Sequence, residues 1–256
     1  MTVIAVLASP PRPGLVLPEL AADGPLTESE AAKLYAAMLR DTFAAVDNSG
    51  GDLLVNYRAD EGLPEEYAAG DDEESAEAEL RALVADELGG TGDARFEVQV
   101  GSSFAARAGN TVTHLLRDES VASAAVVRGT APFLFRSVVD SAAMKLRRSP
   151  VVLGPSTEGR TYYAGFTEPI DFDGAFAVPE LETLTTRAAD AGHAADFLQT
   201  VPTLERPEDL TTVLPLLESR VAAERIVPVN TATCVRDLGL QVVDGDDGPE
   251  VVRADN

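Results

Sequence analysis

The chain of 256 residues has no tryptophan, two histidines, one cysteine and two lysines. Each shortage excludes something. One cysteine, Cys234, cannot build an internal disulfide framework. With no histidine near it in sequence, it reads as a small, half-buried side chain rather than a nucleophile. The histidines, His114 and His193, stand too far apart for a metal motif, and their spacing from serines and acids suggests no Ser-His-Asp arrangement. No apolar run approaches the roughly 18 residues of a membrane span. The apolar segment 3–8 is too short for a signal-peptide core and lacks a basic flank, so the expectation is a soluble, cytoplasmic protein. Lysine is confined to Lys33 and Lys145, so 18 of the 20 basic residues are arginine, against 43 acidic ones. A chain so poor in positive charge has no basic stripe for a phosphate backbone, which argues against nucleic acid as a partner.

What is present is acidic and ordered. The formal charge is −23, yet 45% of the residues are hydrophobic and fall in periodic blocks, which argues against disorder. An ordered, lysine-poor, acidic chain suits a high-salt cytosol, where salt screens self-repulsion. A halophilic source is therefore predicted.

Apolar runs at 3–8, 53–57, 96–100, 124–128, 151–154, 162–166 and 196–200 read as strands. Helical patterns fall at 28–43, 74–88, 104–117, 133–147, 181–191 and 207–224. This alternation predicts an α/β fold, a mainly parallel Rossmann-like sheet with helices on both faces. Thr27 followed by Glu30 predicts a capping box, and Pro207-Glu208-Asp209 a helix start. Residues 60–79 read as a solvated acidic loop leading into a polar helix face, and residues 244–256 as a fraying acidic tail. Residues 1–224 are expected to form the main domain and 225–256 a small appendage, with Asn230 capping the short helix that holds Cys234.

The strand 3–8, the Pro/Gly loop SPPRPGLV and the helix after it have the layout of a nucleotide pocket at the carboxyl end of a first strand. Pro11, Arg12 and Gly14 lie in that loop. Gly101 and Ser102 open another strand-to-helix turn whose amides suit a phosphate, with Arg107 one turn further on. Asn110 and His114 share the following helical face. Arg128 ends an expected central strand, where a charge without a partner is costly.

Three segments, taken together, resemble the GT-A-type glycosyltransferase-like proteins, which are related in fold to nucleotide-diphospho-sugar transferases and phospholactate guanylyltransferase. They are SPPRPGLV with the helix after it, VVLGPSTEGRTYYAGF (151–166) and VPTLERPEDLTTVL (201–214). The resemblance implies a sugar nucleotide or nucleotide as substrate and Mg²⁺ or Mn²⁺ as metal. The chain departs from the family pattern where the charge should be. Leu17, Pro18 and Glu19 stand where the family has Lys-Thr-Arg. Thr130 takes the place of the metal-binding Asp in Gly-Ser-Asp-x-Pro. Glu158 keeps a carboxylate in the Gly-Pro loop, but Arg160 replaces a glycine. Glu205 keeps one acid of the Asp-Val-Asp-Thr-Pro segment.

A departing nucleoside diphosphate needs its charge offset by a metal or by cations. Two arrangements meet that need. Glu158 and Glu205 hold a metal between them, with Arg160 beside them at the catalytic centre, or Arg12, Arg107, Arg128 and Arg160 converge and replace the metal. Three functional readings follow: a glycosyl- or nucleotidyltransferase with a rebuilt diphosphate site, a non-catalytic relative that binds a nucleotide or partner, and an unrelated α/β enzyme. The second predicts a shallow cleft plugged by Leu17 and Tyr163; the third, a different strand order.

Overall fold

The computed structural model describes residues 2–70, 73–246 and 248–254. Seven strands form one sheet: β1 (Thr2–Ala8), β2 (Asp52–Tyr57), β3 (Arg95–Val98), β4 (Ser123–Arg128), β5 (Val151–Pro155), β6 (Thr161–Phe166) and β7 (Ala195–Phe197). Their order is β3-β2-β1-β4-β6-β5-β7. All neighbours run parallel except β6, which is antiparallel to both β4 and β5. The mainly parallel Rossmann-like sheet expected from the sequence is present.

β1 is apolar throughout because both of its faces are covered. Ile4, Val6 and Ala8 join a core under helices α2 (Glu28–Asp47), α3 (Ala76–Leu88), α5 (Arg136–Leu146) and α7 (Pro207–Ala222). Val3, Ala5 and Leu7 join a second core under α4 (Phe104–Arg117) and α6 (Glu180–Asp190). A strand buried on both faces loses the polar alternation of a half-exposed one. A short helix α1 (Pro18–Ala22) precedes α2, and α8 (Val229–Asp237) follows α7.

Several boundaries shift, each with a local cause. The helix expected from 133 starts at Arg136, because Phe133 and Leu134 are buried in the turn after β4. The edge strands β3 and β7 are shorter than expected, with Val98, Val100 and Phe197 left exposed. Segment 60–79 is not a free loop. It holds two 3₁₀ turns, Asp60–Gly62 and Glu65–Tyr67, and the N-terminus of α3 with Ser75 as cap. Asp71 and Asp72 of its acidic run lie outside the described residues. The tail does not fray as predicted: Leu240–Gly245 (β8) and Gly248–Arg253 (β9) pair as a hairpin, with Asp247, Asp255 and Asn256 outside the described residues. Asn230 does not cap α8. Its amide and that of Thr231 donate to the Asp41 carboxylate, so an acid from α2 satisfies the helix start (3.0 and 2.8 Å). Cys234 lies in α8 with its thiol pushed up to about 11 by burial, the state of an inert cysteine.

Glu30 ties the two ends of the chain together. It accepts from the Thr27 amide at 2.8 Å, completing the capping box, and from Arg253 of β9 at 2.7 Å. The Arg253 contact first and the Thr27 amide second pull its carboxyl down to about 2. A lowered folded-state value stabilises above the ordinary 4.5 and loses that contribution as pH falls from 4.5 towards 2. Glu30→Ala is therefore expected to cost about 1 kcal/mol at neutral pH, or roughly 2–4 °C in Tm. The gap to wild type should close as the pH is lowered through that window, which pH-dependent thermal denaturation would read.

Candidate functional site

The chain runs from β1 to one side of the sheet and returns to β4 on the other. The carboxyl ends of β1 and β4 therefore flank the point where the strand order reverses, the usual ligand crevice of such sheets. A cleft of about 160 Å³ opens there. Leu7, Ala8 and Ser9 from the end of β1 form its floor; Arg128, Gly129 and Thr130 from β4, Arg58 after β2, Phe104 and Arg107 from α4, Tyr35 and Glu205 line the rest. Gly129 is required by packing, since a Cβ there would overlap the buried Leu39 side chain. The Tyr35 hydroxyl accepts from the Ser9 amide at 3.2 Å.

Three arginines thus meet in one small cleft. Arg128 stacks on the Phe104 ring at 4.3 Å and is held by Glu180, a buried acid at the start of α6, and at 3.5 Å by Glu205. Burial pushes the Glu180 carboxyl up, with Arg128 opposing that shift. Arg58 donates one hydrogen bond, to the Gly62 carbonyl at 3.0 Å. Among the described residues neither Arg58 nor Arg107 has a carboxylate partner, and the buried Nε of Arg107 has no acceptor. Burial first, and the Arg58 charge second, push the Arg107 guanidinium below its usual value.

The other expected ligands are placed elsewhere. Arg12 turns away from the cleft and staples its loop to segment 60–79, bonding Asp60 at 2.6 Å, Glu79 at 2.6 Å and the Tyr67 carbonyl. Gly14 has φ +77, and a Cβ there would meet the Tyr67 hydroxyl at 3.0 Å, so this glycine serves packing in the same staple; Pro11 lies in that loop outside the cleft lining. Gly101 and Ser102 are exposed outside the cleft, and Ser103 is the cap of α4, accepting from Ala106 at 3.1 Å. Asn110 donates to the Val100 carbonyl at 2.7 Å and His114 pairs with Asp118 at 2.9 Å, so both serve the surface. Neither Leu17 nor Tyr163 borders the cleft; Tyr35 does.

Arg160 occupies the ground between the two expected metal ligands. It forms a buried bidentate pair with Asp209, and its guanidinium lies 3.5 Å from Glu205 and 3.8 Å from Glu158. Glu158 turns outward to Arg206 at 3.1 Å. Glu205 accepts from Thr130 at 2.7 Å, so the hydroxyl at the position of the family's Asp donates to a carboxylate rather than binding a cation. Donors already neutralised by guanidinium groups do not fit a divalent ion. One other cluster of metal-type donors occurs among the described residues, Glu97, His114 and Glu119, and Arg95 already bonds both of its carboxylates.

Arg58 escaped the sequence reading. Its signal was its place, directly after a buried strand beside β1, close to the relation that marked Arg128, the last residue of β4.

No family model and no curated protein matches the chain. Among solved structures it is similar to a candidate nucleotide-diphospho-sugar transferase from Desulfovibrio desulfuricans G20. The TM-score is 0.72 at 18% identity, over 92% of this chain and 94% of that one. CMP:2-keto-3-deoxy-manno-octonic acid synthetase complexed with CTP superposes at TM-score 0.48 and 12% identity, over 86% and 99% of the two chains. The chain therefore has the GT-A-type fold of nucleotide-diphospho-sugar transferases, and the reading as an unrelated α/β architecture is set aside. Among the described residues no helix is long and apolar enough to cross a membrane.

The two kinds of arginine should respond oppositely to mutation. Asp209→Ala strands a buried guanidinium and is expected to cost about 3–5 kcal/mol, a fall of about 10 °C in Tm or more. Arg107→Met removes a half-buried cation that repels Arg58, so Tm should hold or rise. Thermal denaturation of both ligand-free variants checks the contrast.

Proposed function

We propose that this chain binds a nucleotide or sugar nucleotide by its diphosphate, with Arg58, Arg107 and Arg128 taking the charge that the fold family assigns to a metal. The reading places it among metal-independent glycosyl- or nucleotidyltransferase-like proteins. One observation carries it: in a chain with more than two acids per base, two neighbouring arginines on a cleft at the switch point are left without carboxylates. Two like charges held close, with acids abundant everywhere else, are relieved by an anion between them. Guanidinium groups suit phosphoryl oxygens through their forked donors.

The size of the cleft refines the proposal. Pockets that enclose whole drug-sized ligands run to about 300–1,000 Å³, and this one has about 160 Å³. It takes the phosphoryl part, leaving base and sugar on the surface around it. In a transferase, the arginines would stabilise the charge that gathers on the leaving diphosphate as the bond to it breaks. Arg128, fixed by Glu180 and Phe104, is the pre-positioned member of the three.

A second reading, binding without transfer, has its own support. Glu205 is the carboxylate lining the cleft, and it is engaged by Thr130 and Arg128. Glu158 and Arg160, the other expected catalytic residues, are committed to ion pairs outside the lining. Among the described residues, no acid lining the cleft is left free to take a proton from an acceptor. On this reading the chain acts as a nucleotide-binding regulatory or interaction protein.

A thermal-shift series in molar KCl with UDP-, GDP- and dTDP-sugars, CTP and GTP, with and without Mn²⁺, tests the proposal. Ligand at ~100-fold excess over Kd stabilises by about 2.7 kcal/mol, or roughly 5–10 °C. The expected result is a shift that Mn²⁺ does not change and that Arg107→Met abolishes. A shift that requires Mn²⁺, or none with any nucleotide, defeats it. Turnover of the stabilising ligand, followed by phosphorus NMR, then separates transfer from binding alone.

A further inference from the structure

On the diphosphate reading of the cleft, on which this inference rests, we propose that Tyr35 is a further ligand-binding residue, its hydroxyl donating a hydrogen bond to a phosphoryl oxygen. It would add to the three arginines a donor that carries no charge. Tyr35 lies on α2 and is 7% exposed. Its neighbours one turn away on that helix, Ala31, Ala32, Met38 and Leu39, are buried and apolar. In such a setting a phenylalanine fills the same space, so the hydroxyl calls for a separate cause.

That cause lies at the cleft, which Tyr35 lines beside the carboxyl end of β1. The hydroxyl accepts from the Ser9 amide at 3.2 Å, which occupies a lone pair and leaves its proton to be given elsewhere. Among the described residues no oxygen receives that proton. A buried tyrosine hydroxyl normally finds a partner. The cleft around it is short of acceptors: the Nε atoms of Arg107 and Arg128 are buried without one. Glu205, the carboxylate of the lining, is already engaged by Thr130 and Arg128. A ligand that completes this cleft has to bring several acceptor oxygens in a small volume, as a phosphoryl group does.

Tyr35 is suited to donate and not to act as a base. Burial, opposed by the Ser9 amide, leaves its hydroxyl pushed up to about 12, so it keeps its proton through the neutral range. Glu205 and Arg58, both of the cleft lining, act on it in opposite senses. A neutral donor differs from an arginine in one measurable respect. Salt screens the attraction between an anion and a cation, but it hardly touches a hydrogen bond from an uncharged hydroxyl. Losing the Tyr35 hydroxyl should therefore lower affinity without altering its salt dependence. Losing Arg107 should lower both.

Calorimetric titration of the full chain with inorganic pyrophosphate, over a range of KCl concentrations, is the test. Tyr35→Phe is expected to raise Kd about 10-fold with the salt dependence of the wild type, whereas Arg107→Met raises Kd and flattens that dependence. Tyr35→Phe also leaves the Ser9 amide without its acceptor, so its ligand-free Tm should fall by a few degrees; circular dichroism establishes that it folds at the titration temperature. A second readout is spectroscopic. The chain has five tyrosines and no tryptophan, so its near-ultraviolet band is that of tyrosine, and a phenol that gains an anionic acceptor shifts the band to the red. Pyrophosphate should produce this difference spectrum in the wild type and not in Tyr35→Phe. Wild-type affinity in Tyr35→Phe, or binding without the difference spectrum, overturns the proposal and leaves the diphosphate reading standing. A raised Kd with a flattened salt dependence would assign Tyr35 to holding the arginines in place and also overturn it. A wild-type chain that does not bind pyrophosphate overturns both.

Discussion

The pair between Arg160 and Asp209 is the constraint on which the site depends. Asp209 accepts from the amides of Glu205 and Arg206 at 2.9 and 3.0 Å, and so fixes the first turn of α7. Arg160, which it holds, also bonds the Thr157 carbonyl and hydroxyl and keeps the turn after β5 in shape. Two loops at the carboxyl end of the sheet are thereby pinned to one another by a buried ion pair. Such a pair need not add net stability over apolar packing, but removing one partner leaves an uncompensated charge. Geometry is what it secures: Glu205 is presented to Thr130 and Arg128 on one wall of the cleft.

This arrangement changes what the fold does with cations. A metal between acids neutralises a ligand's charge only when the ion is bound; a guanidinium between acids is permanent, and here it spends its charge on the protein. Arg160 and Arg12 are structural because each has at least two carboxylates near it. Arg58 and Arg107 are half-buried on the cleft without a carboxylate partner among the described residues, whereas Arg117, Arg147, Arg148 and Arg225, also without one, are exposed to solvent. Arg128 falls between, since its carboxylate partners anchor it without removing it from the cleft.

The fold was legible because burial on both faces of a parallel sheet writes a recognisable run into the sequence. VIAVLA in β1 and AAVV in β4 need no tertiary knowledge. Thr27 and Glu30 likewise announce a helix start through local bonding alone. The tail was misread because Asp and Gly at 244–248 signal a turn, while the strands on either side gain their order from α7, α8 and the Arg253 contact to Glu30, across the length of the chain. The site was half legible. Arg107, Arg128, Thr130 and Glu205 line the cleft as their place after strands or on a helix suggested. Arg12 and Arg160 have the same local signature, and which arginine faces a ligand depends on where Asp60, Glu79 and Asp209 fold back. No local pattern reveals that.

The cleft and an apolar face sit towards opposite ends of α7. α7 has 16 residues, about 24 Å at 1.5 Å per residue. Its first turn carries Asp209, and its last two turns carry Leu217 and Val221 of that face. The two ends share no surface, so covering one leaves the other open. The same separation appears in the charges: Arg58, Arg107 and Arg128 collect at the carboxyl edge of the sheet, while residues 217–241, with no net charge, include the far end of α7. The cleft leaves cationic groups without carboxylates among the described residues, and the far end of α7 leaves apolar side chains exposed. The cleft is the kind of surface that a ligand completes.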